Sequence, residues 1–262
     1  MRAAILLGQK LGATLYFIHV VDSSALPAMS PIELKNELNE QAKRQNQDAL
    51  EAQVRMLYAN LRVRAKEVPY ECIIANKPLD LAIATYTSSL NIDLIIMGTS
   101  GASGFQKIIG GSNTSAVIKK SNISVLVIPF DFVFSSIRKV AMTLNVHDFE
   151  HKKSITILND IVNTYNAELE YFYIVPKDNS IMEAHTKLKQ IATGLPIVQN
   201  EVEIHIKESE PIAKTLEQWL KEHNCDLVVM HPREWTIGKF IFTTSMTQEM
   251  AHRAKLPLLI LQ

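Results

Sequence analysis

The chain has 262 residues, 47% of them hydrophobic and 21% charged, a composition typical of a globular protein and a length that suits one large domain or two small ones. Its 27 Lys and Arg balance its 27 Asp and Glu, so no global field draws it to nucleic acid or to an acidic membrane surface. No apolar run approaches the roughly 18 residues of a membrane span, and the opening MRAAILLGQKLGA turns polar too soon for a signal peptide.

The first predicted element is a helix over RAAILLGQKLGA, starting at residue 2, and the next is the strand LYFIHVV, Leu15–Val21. From Pro31 to Leu61, Glu, Lys and Arg recur at helical spacing, which predicts a long helix with a solvated charged face. Pro78 opens another helix, PLDLAIATYTSSLN, and the strand IDLIIM follows, ending at Met97. The loop GTSGASGFQKIIGG then leads into a short helix near Ser112 and the strand SVLVIP. Beyond the apolar linker PFDFVFSSI come the strands KVAMTLN (Lys139–Asn145) and LEYFYIV (Leu169–Val175) and the helix SIMEAHTKLKQIA. The helix PIAKTLEQWLKEHN, with Trp219 on its buried stripe, and the strands CDLVVM and PLLILQ complete the chain. Cys72 and Cys225 stand far apart with no clustered metal ligands, and read as buried free thiols in a reducing cytoplasm. His19, between apolar neighbours in FIHVV, reads as a strand histidine rather than a ligand.

The chain is written twice. IDLIIMG aligns with CDLVVMH at an offset of 133 residues, and the same offset places Pro78 on Pro211 and SVLVIP on PLLILQ. Further upstream LYFIHVV matches LEYFYIV at an offset of 154, the difference falling in the intervening helix, where length is readily absorbed. Strands rich in Val, Ile, Leu and Phe alternate with amphipathic helices, as in a parallel sheet covered on both faces. The expected domains are 1–131 and 137–262, with an apolar linker that favours packing over free swinging. The second half opens with the strand KVAMTLN, for which the first half has no counterpart. Either the start is truncated or the first domain is built without that strand.

Five of the nine glycines, Gly98, Gly101, Gly104, Gly110 and Gly111, stand in the single loop after Met97. Parallel α/β sheets bind ligands at the carboxyl ends of their strands. Gly98 and Gly101 permit positive φ and leave no Cβ in a ligand's way. Gly110 and Gly111, followed by Ser112 and Thr114, present amides and hydroxyls at a helix N-terminus, an anion site most natural for phosphate. The alternative is a plain turn capped by Ser112. The loop is neither a Walker A sequence nor the dinucleotide G-x-G-x-x-G.

The spacing Gly98-x2-Gly101-x9-Gly111-Ser112 resembles the G-x2-G-x9-G-[S/T] pattern of the ATP-binding universal stress proteins. GATLYFIHVVD, DLIIMGTSGASGF and VIKKSNISVLVIP resemble further stretches of that family, and the duplication resembles its tandem members. The resemblance implies an α/β fold of two tandem Rossmann-like, adenine nucleotide alpha hydrolase-like domains. Each would hold a five-stranded parallel sheet of order 3-2-1-4-5, the first domain lacking its first strand. It implies bound ATP, or AMP or ADP, with Mg²⁺ arriving alongside. Val20 would contact adenine, Met97, Gly98 and Gly101 would line ribose and phosphates, and Gly111, Ser112, Asn113 and Thr114 would hold phosphate. The family's adenine-contacting Asp, at the end of the first strand, has no position to occupy here.

Applied to the second half, the offset turns Gly98 into His231, Gly101 into Glu234 and Gly111 into Thr244, while Ser112 becomes Ser245. The glycines are gone and Glu234 brings a negative charge towards any polyphosphate, so no nucleotide site is expected there. That half is expected to serve structurally, its PLLILQ pairing with SVLVIP as the family pairs its last strands, with a further homodimer left open. No general base, metal carboxylate pair or nucleophile–histidine set stands near the loop, so no enzyme is expected. The expected function is adenine-nucleotide sensing in a cytoplasmic stress-response regulator. The rival readings are a nucleotide-free scaffold and an enzyme of the wider α-hydrolase-like group, whose S-G-G-x-D-S loop is absent.

Overall fold

The computed structural model describes residues 1–21, 32–98, 113–129, 132–134, 136–143, 155–175, 181–195, 197, 203–208, 212–230 and 256–262. Packing divides the chain into two units, Met1–Asn91 and Ile92–Gln262.

In the first unit, helix α1 (Arg2–Leu11) buries Ala4, Ile5, Leu7 and Gly8 along one side. It stops at Gly12, whose φ of 65° is open to glycine at no steric cost, and the Gly12 amide closes back on the Gly8 carbonyl. Gly8 is a close approach: a Cβ there would stand 3.1 Å from Leu15 Cδ2 and 3.2 Å from Val68 Cγ1. Strand β1 (Leu15–Val20) pairs in parallel with β2 (Tyr70–Ala75), in the register Leu15 to Tyr70 through Val20 to Ala75. Between them runs α2 (Ile32–Leu61), a 30-residue helix about 45 Å long at 1.5 Å per residue. Its Val54 and Tyr58 meet Ile5, Phe17, Val63 and Val68 in one core. The Tyr58 hydroxyl donates to the buried Val68 carbonyl at 3.0 Å, so the core's polar atoms are paired where they enter it. Helix α3 (Leu79–Ser89) begins after Pro78, where a missing amide costs nothing.

The second unit holds strands β3 (Ile95–Gly98), β4 (Val125–Ile128), β5 (Lys139–Thr143), β6 (Glu168–Val175), β7 (Glu203–Glu208), β8 (Leu227–Met230) and β9 (Leu258–Ile260). Its helices are α4 (Asn113–Lys120), α5 (Ile155–Tyr165), α6 (Ile181–Gly194) and α7 (Ile212–Glu222). The strands form one sheet of order β3-β4-β9-β8-β5-β6-β7. All neighbours run parallel except β4 and β9, which pair antiparallel with Val125 opposite Ile260, Leu126 opposite Leu259 and Val127 opposite Leu258. All four β4 residues are buried, which explains the unbroken apolar run VLVI. Trp219, fully buried, stacks on Phe172 at a centroid distance of 4.5 Å within a core that includes Ala141, Leu216, Leu220, Cys225 and Val228. The Asp226 carboxylate accepts from the Arg138 and Lys139 amides at 2.8 and 3.1 Å and so pins the start of β5.

The second half of the repeat thus shows β7-β6-β5-β8-β9, the expected order 3-2-1-4-5. Its β5 is the bridging strand, with β6 on one side and β8 on the other. Among the described residues the first half contributes no strand equivalent to β5. Its four strands accordingly fall into two sheets, β1-β2 and β3-β4, because β5's counterpart is what would carry the ladder from one pair to the other. This is why packing divides the chain at Asn91, within the first copy of the repeat, while self-similarity divides it near residues 131–137.

Candidate nucleotide-binding site

The loop between β3 and α4 leaves the carboxyl end of a parallel strand and enters a helix N-terminus, the local arrangement that anion binding requires. Met97 is half-buried opposite Val127, and Gly98, opposite Ile128, is exposed at the strand's last position. Gly98 does not adopt the positive φ expected of it; Gly12 is the positive-φ glycine among the described residues. A Cβ added there would meet nothing within 4 Å, so the strand's end is open and the packing around it does not itself require glycine. Asn113 opens α4 and is exposed, whereas Thr114 is 5% exposed, so of these two Asn113 is the one open to solvent. Val20 ends β1 in the first unit, half-buried opposite Ala75, again at a strand's carboxyl end. Gly101, Gly111 and Ser112 lie outside the described residues, as do His231, Glu234 and Thr244 of the second copy.

His19 is exposed on β1, and Cys225 is buried as expected while Cys72 is only half-buried; both thiols are free. Burial pushes the Cys225 thiol up to about 12, which keeps it protonated and unreactive.

A second polar constellation, not singled out by the sequence reading, lies by the amino ends of β5, β6 and β7. Glu170 of β6 stands directly across from Glu203 of β7, and the period of two puts His205 on the same face as Glu203. His223, immediately after α7, reaches the same place: its Nδ1 lies 2.6 Å from Glu170 Oε2. His205 Nε2 lies 3.3 Å from that oxygen and 3.2 Å from Glu203 Oε1. Lys139 Nζ donates to the other Glu170 oxygen, Oε1, at 2.6 Å. The rings are held as a stack: Trp219 lies 4.3 Å from His223 and 5.1 Å from His205 between ring centroids. Burial pushes the Glu170 carboxyl up, but the hydrogen bonds with Lys139 and His223 outweigh it and hold it below the ordinary range. Burial pushes the His205 imidazole down against the opposing pull of Glu170. Residues so distant along the chain carry no spacing motif, and the signal available in sequence was only polar residues on strands otherwise apolar.

Comparison with known proteins bears on the whole chain. A family model described as the universal stress protein family matches residues 1–129. A curated universal stress protein of Methanocaldococcus jannaschii is 34% identical over 128 residues, 48% of this chain and 70% of the relative. The crystal structure of a universal stress protein from Archaeoglobus fulgidus is similar with a TM-score of 0.69 and 20% identity, over 100% of this chain and 90% of that one. A functionally unknown protein from Pseudomonas aeruginosa is similar with a TM-score of 0.58 and 12% identity, over 97% of this chain and 94% of that one. At such identities the two structures speak for the fold alone, while the 34% identical relative carries the kinship. The chain belongs to the universal stress protein family.

Proposed function

We propose that the chain is an adenine-nucleotide-responsive stress regulator with one site, at the loop between β3 and α4. The observation that carries this reading is the spacing Gly98-x2-Gly101-x9-Gly111-Ser112 between a strand's carboxyl end and a helix start. Val20, Met97, Gly98, Gly101, Gly111, Ser112, Asn113 and Thr114 are the residues assigned to ATP, ADP or AMP, with Mg²⁺ accompanying the polyphosphates. The second copy, with His231, Glu234 and Thr244 at the glycine positions, takes no nucleotide and acts as a structural partner of the first. The β4–β9 ladder supports that role, since it joins the last strands of the two copies. Nucleotide occupancy rather than turnover is the output, and no residue is assigned a catalytic role. The free thiols fit a reducing compartment such as the cytoplasm.

The second reading is a nucleotide-free scaffold. It draws on the separation of β1-β2 from β3-β4, which leaves the first copy without the strand that carries the family's adenine-contacting Asp. Calorimetric titration with ATP and Mg²⁺, and separately with ADP and AMP, distinguishes the two. The nucleotide reading expects saturable one-to-one binding to the wild-type chain and its loss in Gly111→Val, whose side chain stands where phosphate approaches the backbone. A folded wild-type chain that binds none of the three, or a Gly111→Val chain that binds as well as wild type, overturns it in favour of the scaffold.

A further inference from the structure

The cluster at the amino ends of β5, β6 and β7 leaves one buried nitrogen, His205 Nε2, without a hydrogen bond. His205 Nε2 is a buried atom facing two carboxylate oxygens at 3.2 and 3.3 Å, yet it has hydrogen-bond geometry to neither. A buried polar atom without a partner is costly, and a nitrogen lone pair facing carboxylate oxygens is repulsive. A cation between them turns the repulsion into attraction.

We propose that Glu170 Oε2, His205 Nε2 and His223 Nδ1 form a binding site for a zinc-class divalent cation, in the second half and at the amino ends of β5, β6 and β7. One ligand atom from each residue falls within 4.8 Å of the others. A tetrahedral zinc site with bonds of 2.0–2.2 Å separates its donors by about 3.3 Å. The His205–Glu170 pair already stands at 3.3 Å, and the His223–Glu170 pair, at 2.6 Å, must open by less than an ångström. Water completes the coordination.

The donor set is the one that suits zinc: two imidazoles and a carboxylate, with no thiolate to demand copper(I) and too few oxygens for calcium or magnesium. The surroundings orient it. Lys139 holds Glu170 by Oε1 and so turns Oε2 towards the two rings, and Trp219 fixes the plane of His223 by stacking at 4.3 Å. The ion takes the place of the hydrogen bond between His223 Nδ1 and Glu170 Oε2, and the ring then carries its proton on Nε2. Because β6, β7 and the end of α7 each supply a donor, the bound ion clips the helix to the sheet edge.

The test is calorimetric titration of the chelator-treated full-length chain with Zn²⁺ alone. One saturable site is expected, with affinity lowered about tenfold or more in Glu170→Gln and His205→Gln and unchanged in His185→Gln on exposed α6. The absence of saturable binding by the wild-type chain overturns the proposal, as does undiminished binding by the folded variants. Should the variants fail to fold, the wild-type chain still decides. Zn²⁺ is expected to protect His223 from carbethoxylation while His185 stays reactive, and equal modification of His223 with and without the ion overturns the assignment.

Discussion

Leu259 tests whether the β4–β9 pairing is a packed seam or a mere apposition of strand ends. It is 0% exposed, faces Leu126 (1% exposed) across the antiparallel ladder and lies beside Val229 on the parallel side. Leu259→Ala removes three carbons, about 2.4 kcal/mol of transfer free energy at roughly 0.8 kcal/mol each. A site enclosed by strands on both sides collapses little, so the residual cavity brings the loss to about 3–4 kcal/mol. For a chain of this size that lowers Tm by roughly 6–16 °C, read by calorimetry on the transition that carries the larger sheet. Leu81→Ala, at a position 56% exposed on α3, is the control and should change stability by less than about 0.5 kcal/mol. Because the two leucines share one contact, Leu126→Ala combined with Leu259→Ala should depart from additivity by about 0.5 kcal/mol or more. A Leu259→Ala loss no greater than the control's refutes the packed seam.

Tyr58 supplies a pH test. Burial, aided by neighbouring Tyr70 and Cys72, raises its phenol to about 12, and its hydroxyl donates to Val68. A folded pKa above the unfolded value means that this contribution to stability is intact below about pH 10 and is lost as pH climbs through about 12. Ultraviolet tyrosinate titration of the folded chain should therefore show late-titrating groups, Tyr171 being another raised to about 12 by burial, and Tyr58→Phe should remove one of them. If Tyr58→Phe removes an early-titrating group instead, the buried hydrogen bond is wrong. Asp226→Ala strips the acceptor from the Arg138 and Lys139 amides and should cost about 1–3 kcal/mol by urea denaturation. Asp226→Asn keeps an acceptor oxygen and should cost less; equal losses would mean that charge rather than the hydrogen bonds matters.

The alternation of apolar strands with helices and the repeat were legible in the residues, because each strand's burial is written in its own run of Val, Ile and Leu, whereas the order of the second copy's sheet came from the family resemblance. VLVI and LVVM became strands of the larger sheet, and Trp219 became the centre of a core from its place on one helical stripe. The loop's glycine spacing pointed to phosphate; of the two reasons given for Gly98, the positive φ is not used, while the strand's end does stand open.

By itself, then, the sequence determined whatever depends on local pattern: which segments become strands, where α1 starts, and that one copy keeps the glycine loop while the other has lost it. Tertiary structure alone decided that, among the described residues, the first copy's strands divide between two sheets, since a ladder is a relation between segments and is written in none of them singly. It also decided the meeting of Glu170, His205 and His223. No spacing announces that cluster, because two strands and the end of a helix bring its members together only when the sheet is built and α7 lies across it.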